Sequence, residues 1–174
     1  MEQLRKQFIK SLARTVSMIT GSTKPYRRIM RTFGKNTQKS KFPKSVNCHG
    51  FTFYILGIDN AEYPRYIPPE IMEEFLYENG FRSREENGVI AVLRGGQEEL
   101  AHSSVYIPTS QGPLLIQKEE IGRDYNIQLY NQLLEEDLSL KNETYPEYYK
   151  IFPDKIKIPA YFQLTTLKNR AFYE

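Results

Sequence analysis

Asn47-Cys48-His49-Gly50-Phe51-Thr52-Phe53-Tyr54-Ile55-Leu56-Gly57 sets the only cysteine of the 174-residue chain at the head of a strongly apolar run. From His49 to Gly57 the residues are apolar on nearly all sides, as a central buried helix would be. Phe, Thr, Tyr and Ile also favour sheets, so composition alone leaves a strand open. If the run is a helix, its free first-turn N–H groups and its dipole lie beside Cys48 and favour the thiolate.

A thiolate that attacks acyl carbonyls needs a base that takes its proton and later protonates the leaving group. The chain has two histidines. His49 follows Cys48 directly, which on a helix turns it about a quarter-turn away, and it is the poorer base. His102 opens Ser103-Ser104-Val105-Tyr106-Ile107, the second of three strand signals. Gly88-Val89-Ile90-Ala91-Val92-Leu93 is the first and Pro113-Leu114-Leu115-Ile116 the third. The turn Thr109-Ser110-Gln111-Gly112 predicts a hairpin between the last two. A third polar group ordinarily orients the imidazole. Strand alternation puts Gln117 and Glu119 on one face, so either can face His102; Gln117 is preferred because Glu119 lies nearer the strand's end.

Further out, Pro68 and Pro69 open a helix that Gly80 closes. A helix is expected around Tyr125 to Glu136, and a Tyr- and Pro-rich tail from Tyr145. Toward the N-terminus, Leu4, Phe8, Ile9, Leu12, Val16 and Ile19 form a helical stripe, with Gly21 as a stop. Leu4, Phe8, Leu12 and Val16 are expected to pack on the rest of the chain. Ser22 to Ser45 reads as a linker or irregular wrap, with a short helix around Tyr26 to Phe33.

Taken together these residues resemble the NlpC-type cysteine peptidases, which share the papain-like fold. Asn47-Cys48-His49-Gly50 is similar to that family's Asp-Cys-Ser-Gly nucleophile motif. Gly88 to Leu93 sits where it has a Gly-Asp-Leu-Val-type strand. His102-Ser103-Ser104-Val105-Tyr106-Ile107 resembles its His-Val-Gly-Ile-Tyr strand, and Ile116-Gln117 falls near its Ile-His pair. The resemblance spans Asn47 to Lys118. It departs at Asn47 for Asp, His49 for Ser, Val89 for Asp and Gln117 for His or Asn. It implies an α+β papain-like fold, with the nucleophile helix packed on a small antiparallel sheet and an additional N-terminal helix. It also implies Cys48, His102 and Gln117 as catalytic residues, and peptides, cell-wall stem peptides among them, as substrates. Asn47 and His49 are assigned to substrate binding; no cofactor or metal is expected.

Composition sets the outer bounds. Ten Phe and thirteen Tyr supply a real core, which a disordered chain would lack. A single cysteine excludes an internal disulfide framework and fits a reducing compartment. No window approaches the roughly 18 consecutive apolar residues of a membrane span. Lys10 and Arg14 interrupt any secretory pattern, so residence in the cytoplasm, or export by a signal-less route, is expected. Residues 1–45 carry twelve of the 24 basic residues and one of the 21 acidic ones, a balance of +11 against −8 for the remainder. That asymmetry predicts a basic arm at 1–45 that meets an anionic surface or docks on the acidic domain at 46–174. The arm's few aromatics argue against recognition of nucleic acid by stacking. The leading reading is a cysteine hydrolase acting on a peptide or side-chain amide. An acyltransferase on the same fold and a catalytically silent binding module using the basic arm are the alternatives.

Overall fold

A computed structural model describes residues 1–34, 45–58, 63–84, 87–118, 125–129 and 145–156. The protein is α+β, with four α-helices and a six-stranded antiparallel sheet among these residues. The helices are α1 (Glu2–Thr20), α2 (Lys24–Phe33), α3 (Cys48–Leu56) and α4 (Pro69–Asn79). The strands are β1 (Phe81–Ser83), β2 (Ile90–Arg94), β3 (Leu100–Ile107), β4 (Leu114–Lys118), β5 (Tyr125–Leu129) and β6 (Tyr145–Lys150). They run β1-β6-β2-β3-β4-β5 across the sheet.

The apolar run after Cys48 is a helix because both of its ends are specified. Asn47 caps the start in an extended conformation, and Gly57 ends it at φ 66°, where an L side chain would be strained. All nine residues of α3 are buried. The expected hairpin forms between β3 and β4, with Val105 opposite Ile116 and Ile107 opposite Leu114. His102 is the third residue of β3, not its first, because the strand begins two residues earlier, at Leu100. It pairs with Leu93 beside a bulge at Leu93/Arg94.

Two expectations are overturned by pairing that local sequence does not announce. Tyr125-Asn126-Ile127-Gln128-Leu129 is a strand rather than the start of a helix. It alternates with period two, and Ile127 pairs with Ile116 of β4; residues 130–136 of the expected helix lie outside the described residues. Residues 157–174 of the expected tail lie outside the described residues, but its opening stretch, Tyr145–Lys150, is a strand. It enters the sheet as β6, between β1 and β2, with Tyr149 opposite both Arg82 and Ile90. Pro146 is tolerated there because the β1 ladder reaches only Tyr148, leaving that edge of β6 clear of β1 beyond it.

The N-terminal helix joins the main core. Ile9, Leu12, Ala13 and Val16 pack in one cluster with Ile29 and Phe33 of α2, Phe51, Phe53, Tyr54, Ile55 and Leu56 of α3, and Val105 and Ile107 of β3. Leu4 and Phe8, expected in that stripe, are 68% and 47% exposed. The reason is reach: residues 1–8 are exposed without exception, so burial of α1 begins at Ile9. No helix among the described residues is long and apolar enough to cross a membrane.

Candidate active site

The first turn of α3 is built around Asn47. Its Oδ1 accepts from the backbone N–H of Gly50 (3.0 Å) and of Ile67 (3.1 Å), and its Nδ2 donates to the Ile67 carbonyl (2.6 Å). The side chain thus caps the helix and clamps the extended segment that passes beside it. Gly50 makes that passage feasible, since a Cβ there would lie 1.5 Å from the Arg65 carbonyl oxygen. Asn47, expected to face substrate, has its amide committed to these internal bonds and is only 7% exposed.

Cys48 follows the cap and is nearly buried, at 8% exposure. Burial by itself pushes its thiol up. Hydrogen bonds from the His102 and His49 rings, with the charge those rings carry, outweigh burial and bring the thiol down to about 5. A sulfur so placed is a thiolate at neutral pH.

His102 is fixed from its far side. Its Nε2 lies 3.0 Å from Gln117 Oε1, and a carbonyl oxygen only accepts, so Nε2 carries the proton. That leaves Nδ1 as the nitrogen for exchange with the thiol. Gln117 is fully buried, and its own Nε2 donates to Gln128 Oε1 at 3.1 Å. The pairing of Gln117 with Asn126 places Gln128 within reach from β5. Glu119, the other candidate orienter, lies outside the described residues.

His49, also expected to face substrate, is 2% exposed. Its Nδ1 is 2.8 Å from Ser103 Oγ and 3.7 Å from Cys48 Sγ. Ser103 Oγ in turn donates to Thr52 Oγ1 at 3.4 Å. The structure therefore brings Cys48, His102, Gln117 and His49 together and sets Asn47 to shaping the helix end. Ser103, Thr52 and Gln128 escape a reading of the sequence. Thr52 alone leaves a local signal, a hydroxyl one turn after His49 in an otherwise apolar helix.

Among the described residues, no three or more His, Cys, Asp or Glu side chains gather so as to hold a metal ion. No protein-family model matches the chain, and neither does any curated protein or solved structure.

Proposed function

We propose that the protein is a cysteine hydrolase of the papain-like kind, a divergent relative of the NlpC-type peptidases, that cleaves an amide bond. The observation that carries this reading is the line from Cys48 to His102 to Gln117. A thiol at a helix start is held near 5, against burial, by the imidazoles of His102 and His49, and the Nε2 of His102 is bound by a buried amide. In the reaction, the Cys48 thiolate adds to the carbonyl carbon and the carbonyl electrons move onto oxygen. The first-turn N–H of Cys48, which has no acceptor within the helix, is one donor for that oxyanion. The intermediate collapses with loss of the amine, which takes its proton from His102, and an acyl-thioester remains on Cys48. Water, deprotonated by His102, adds to the thioester; the acid leaves and the thiolate is restored. Gln117 keeps the His102 ring aimed through these steps.

The alternative of a silent module working through a basic arm finds less support, because four of the arm's basic residues among the described ones are engaged within the protein. Arg5 Nη2 donates to the Phe33 carbonyl at 3.0 Å, and Arg28 lies 4.4 Å above the Tyr54 ring. Arg31 lies 5.1 Å above the Tyr63 ring, and Lys24 Nζ is 3.5 Å from Asp154.

An activated ester such as p-nitrophenyl acetate tests the chemistry without knowledge of the natural substrate. The expected result is an acyl adduct on Cys48 by intact mass, with turnover in the wild type. Cys48→Ala should form no adduct, and His102→Ala should not turn over. Turnover that survives Cys48→Ala would sink the proposal.

A further inference from the structure

The second imidazole at the sulfur has no role in the steps above, yet it is the more deeply buried and the more firmly held. His49 is 2% exposed, Ser103 and Thr52 are both 0% exposed, and the three are joined in a chain of hydrogen bonds. The tautomer of His49 sets the direction of that chain. Ser103 Oγ donates its one proton to Thr52 Oγ1. Set in that direction, Ser103 offers the His49 ring a lone pair, and the Nδ1–H tautomer, the one that can also donate to a thiolate sulfur, meets it. That same Nδ1 is the nitrogen 3.7 Å from Cys48 Sγ.

We propose that His49 is a positioning residue for the nucleophile: its Nδ1–H, locked by Ser103 and Thr52, is a fixed donor to the Cys48 sulfur, while His102 alone exchanges the proton. This rests on the cysteine-hydrolase reading and divides the labour within it. A base must give up and regain its proton in each half-reaction. A ring whose Nδ1 proton is held between two acceptors is poorly suited to that, and well suited to orienting a sulfur lone pair. His49 acts from α3 and His102 from β3, and these are the two rings that bear on the thiol. Gln117 and Gln128, which continue the line from His102 into β4 and β5, are uncharged. The adjacency of Cys48 and His49, which counts against His49 as a base, suits it to a donor that never leaves its post.

The protein's two histidines make the test direct. In the wild type labelled with 15N-histidine, the ring that persists in a His102→Ala variant is assigned to His49. The expected result is an Nδ1-protonated ring at every pH from below to above the thiol titration. A His49 ring protonated only at Nε2 overturns the proposal. Variants give a second readout through the pH profile of Cys48 alkylation by iodoacetamide. His49→Leu should raise its midpoint by about one pH unit, the worth of one charge-assisted hydrogen bond. His49→Asn, whose amide places an N–H near the Nδ1 position, should restore most of that shift. Ser103→Ala, which retains the ring, should raise the midpoint by a smaller amount and covers the case in which His49→Leu does not fold. Profiles unchanged in His49→Leu and Ser103→Ala but moved in His102→Ala reject the role of His49 and leave the hydrolase reading standing. A wild-type midpoint at the ordinary thiol value, near 8.5, rejects both.

Discussion

With its thiol held near 5, Cys48 should react with iodoacetamide in a way an ordinary cysteine does not. A depressed pKa favours the thiolate, so the rate rises as pH rises through about 5 and is flat by neutrality. Replacing His102 with Ala leaves burial less opposed, and the midpoint should move up toward roughly 8.5 or beyond. An alkylation series across pH on both proteins checks this. Gln117→Ala should cost less than Cys48→Ala: about 100-fold for a misaimed base against complete loss of turnover, measured on the same ester. Cys48, His102 and Gln117 were legible because scarce or polar side chains in apolar runs stand out by type. The internal hydrogen bonds of Asn47 and His49 were not, because they are made to partners far along the chain. Ile67 lies 20 positions from Asn47, and Ser103 lies 54 from His49. Polar side chains beside a nucleophile read as substrate contacts until the segment that claims them is placed.

At the scale of elements, the junction of α3 with the segment at 65–67 is the most exacting. Gly50→Ala would drive a methyl into the Arg65 carbonyl, 1.5 Å away, and that backbone cannot yield without breaking the Asn47 clamp. The expected loss is about 1–3 kcal/mol by thermal or denaturant unfolding, with a shifted alkylation profile because the first turn carries Cys48. Asn47→Ala removes the cap and strands the buried N–H and C=O of Ile67, a loss of about 1–3 kcal/mol by the same measurement. α1, α4 and the β3–β4 hairpin could be read from the chain because period, end signals and turn residues are all local, whereas composition left α3 open between helix and strand. β5 and β6 could not. The five residues of β5 fit a helix once the polar stretch after them is read in the same window. β6 becomes a strand only because β1 and β2, more than fifty residues earlier, offer it two edges.

For the molecule as a whole, the N-terminal helices are part of the core and not an appendage. Removing residues 1–21 would expose the surface that Ile9, Leu12 and Val16 cover, each worth about 1.5–3 kcal/mol when fully buried. That loss approaches the margin of an ordinary domain. The truncated protein should melt well below the full chain, and an unchanged melting temperature would mean that α1 contributes nothing to stability. The link also runs to the site: Phe33 of α2 meets Tyr125 edge-on at 5.3 Å, and Tyr125 stacks at 5.2 Å on Phe51, three residues from Cys48. On the opposite flank, Arg94 ties three elements together through Glu73 of α4 and Glu147 of β6 (2.8 Å). Arg82 of β1 joins the same Glu147 at 2.8 Å.

The position of β6 has a consequence for the birth of the protein. Translation delivers β1 and β2 long before the strand that separates them, so until residue 150 has left the ribosome the two have no common neighbour. Closure over so long a separation is slow, and it comes after every residue of the candidate site up to Gln128 has been made. A chain cut short before residue 145 would carry Cys48, His102 and Gln117 intact in sequence while β1 and β2 lacked the strand that joins them. Nascent chains arrested at successive lengths, each treated with iodoacetamide at pH 6, should therefore change from slow to fast labelling only after β6 emerges, so that the newborn thiol gains its reactivity with the strand that joins β1 to β2.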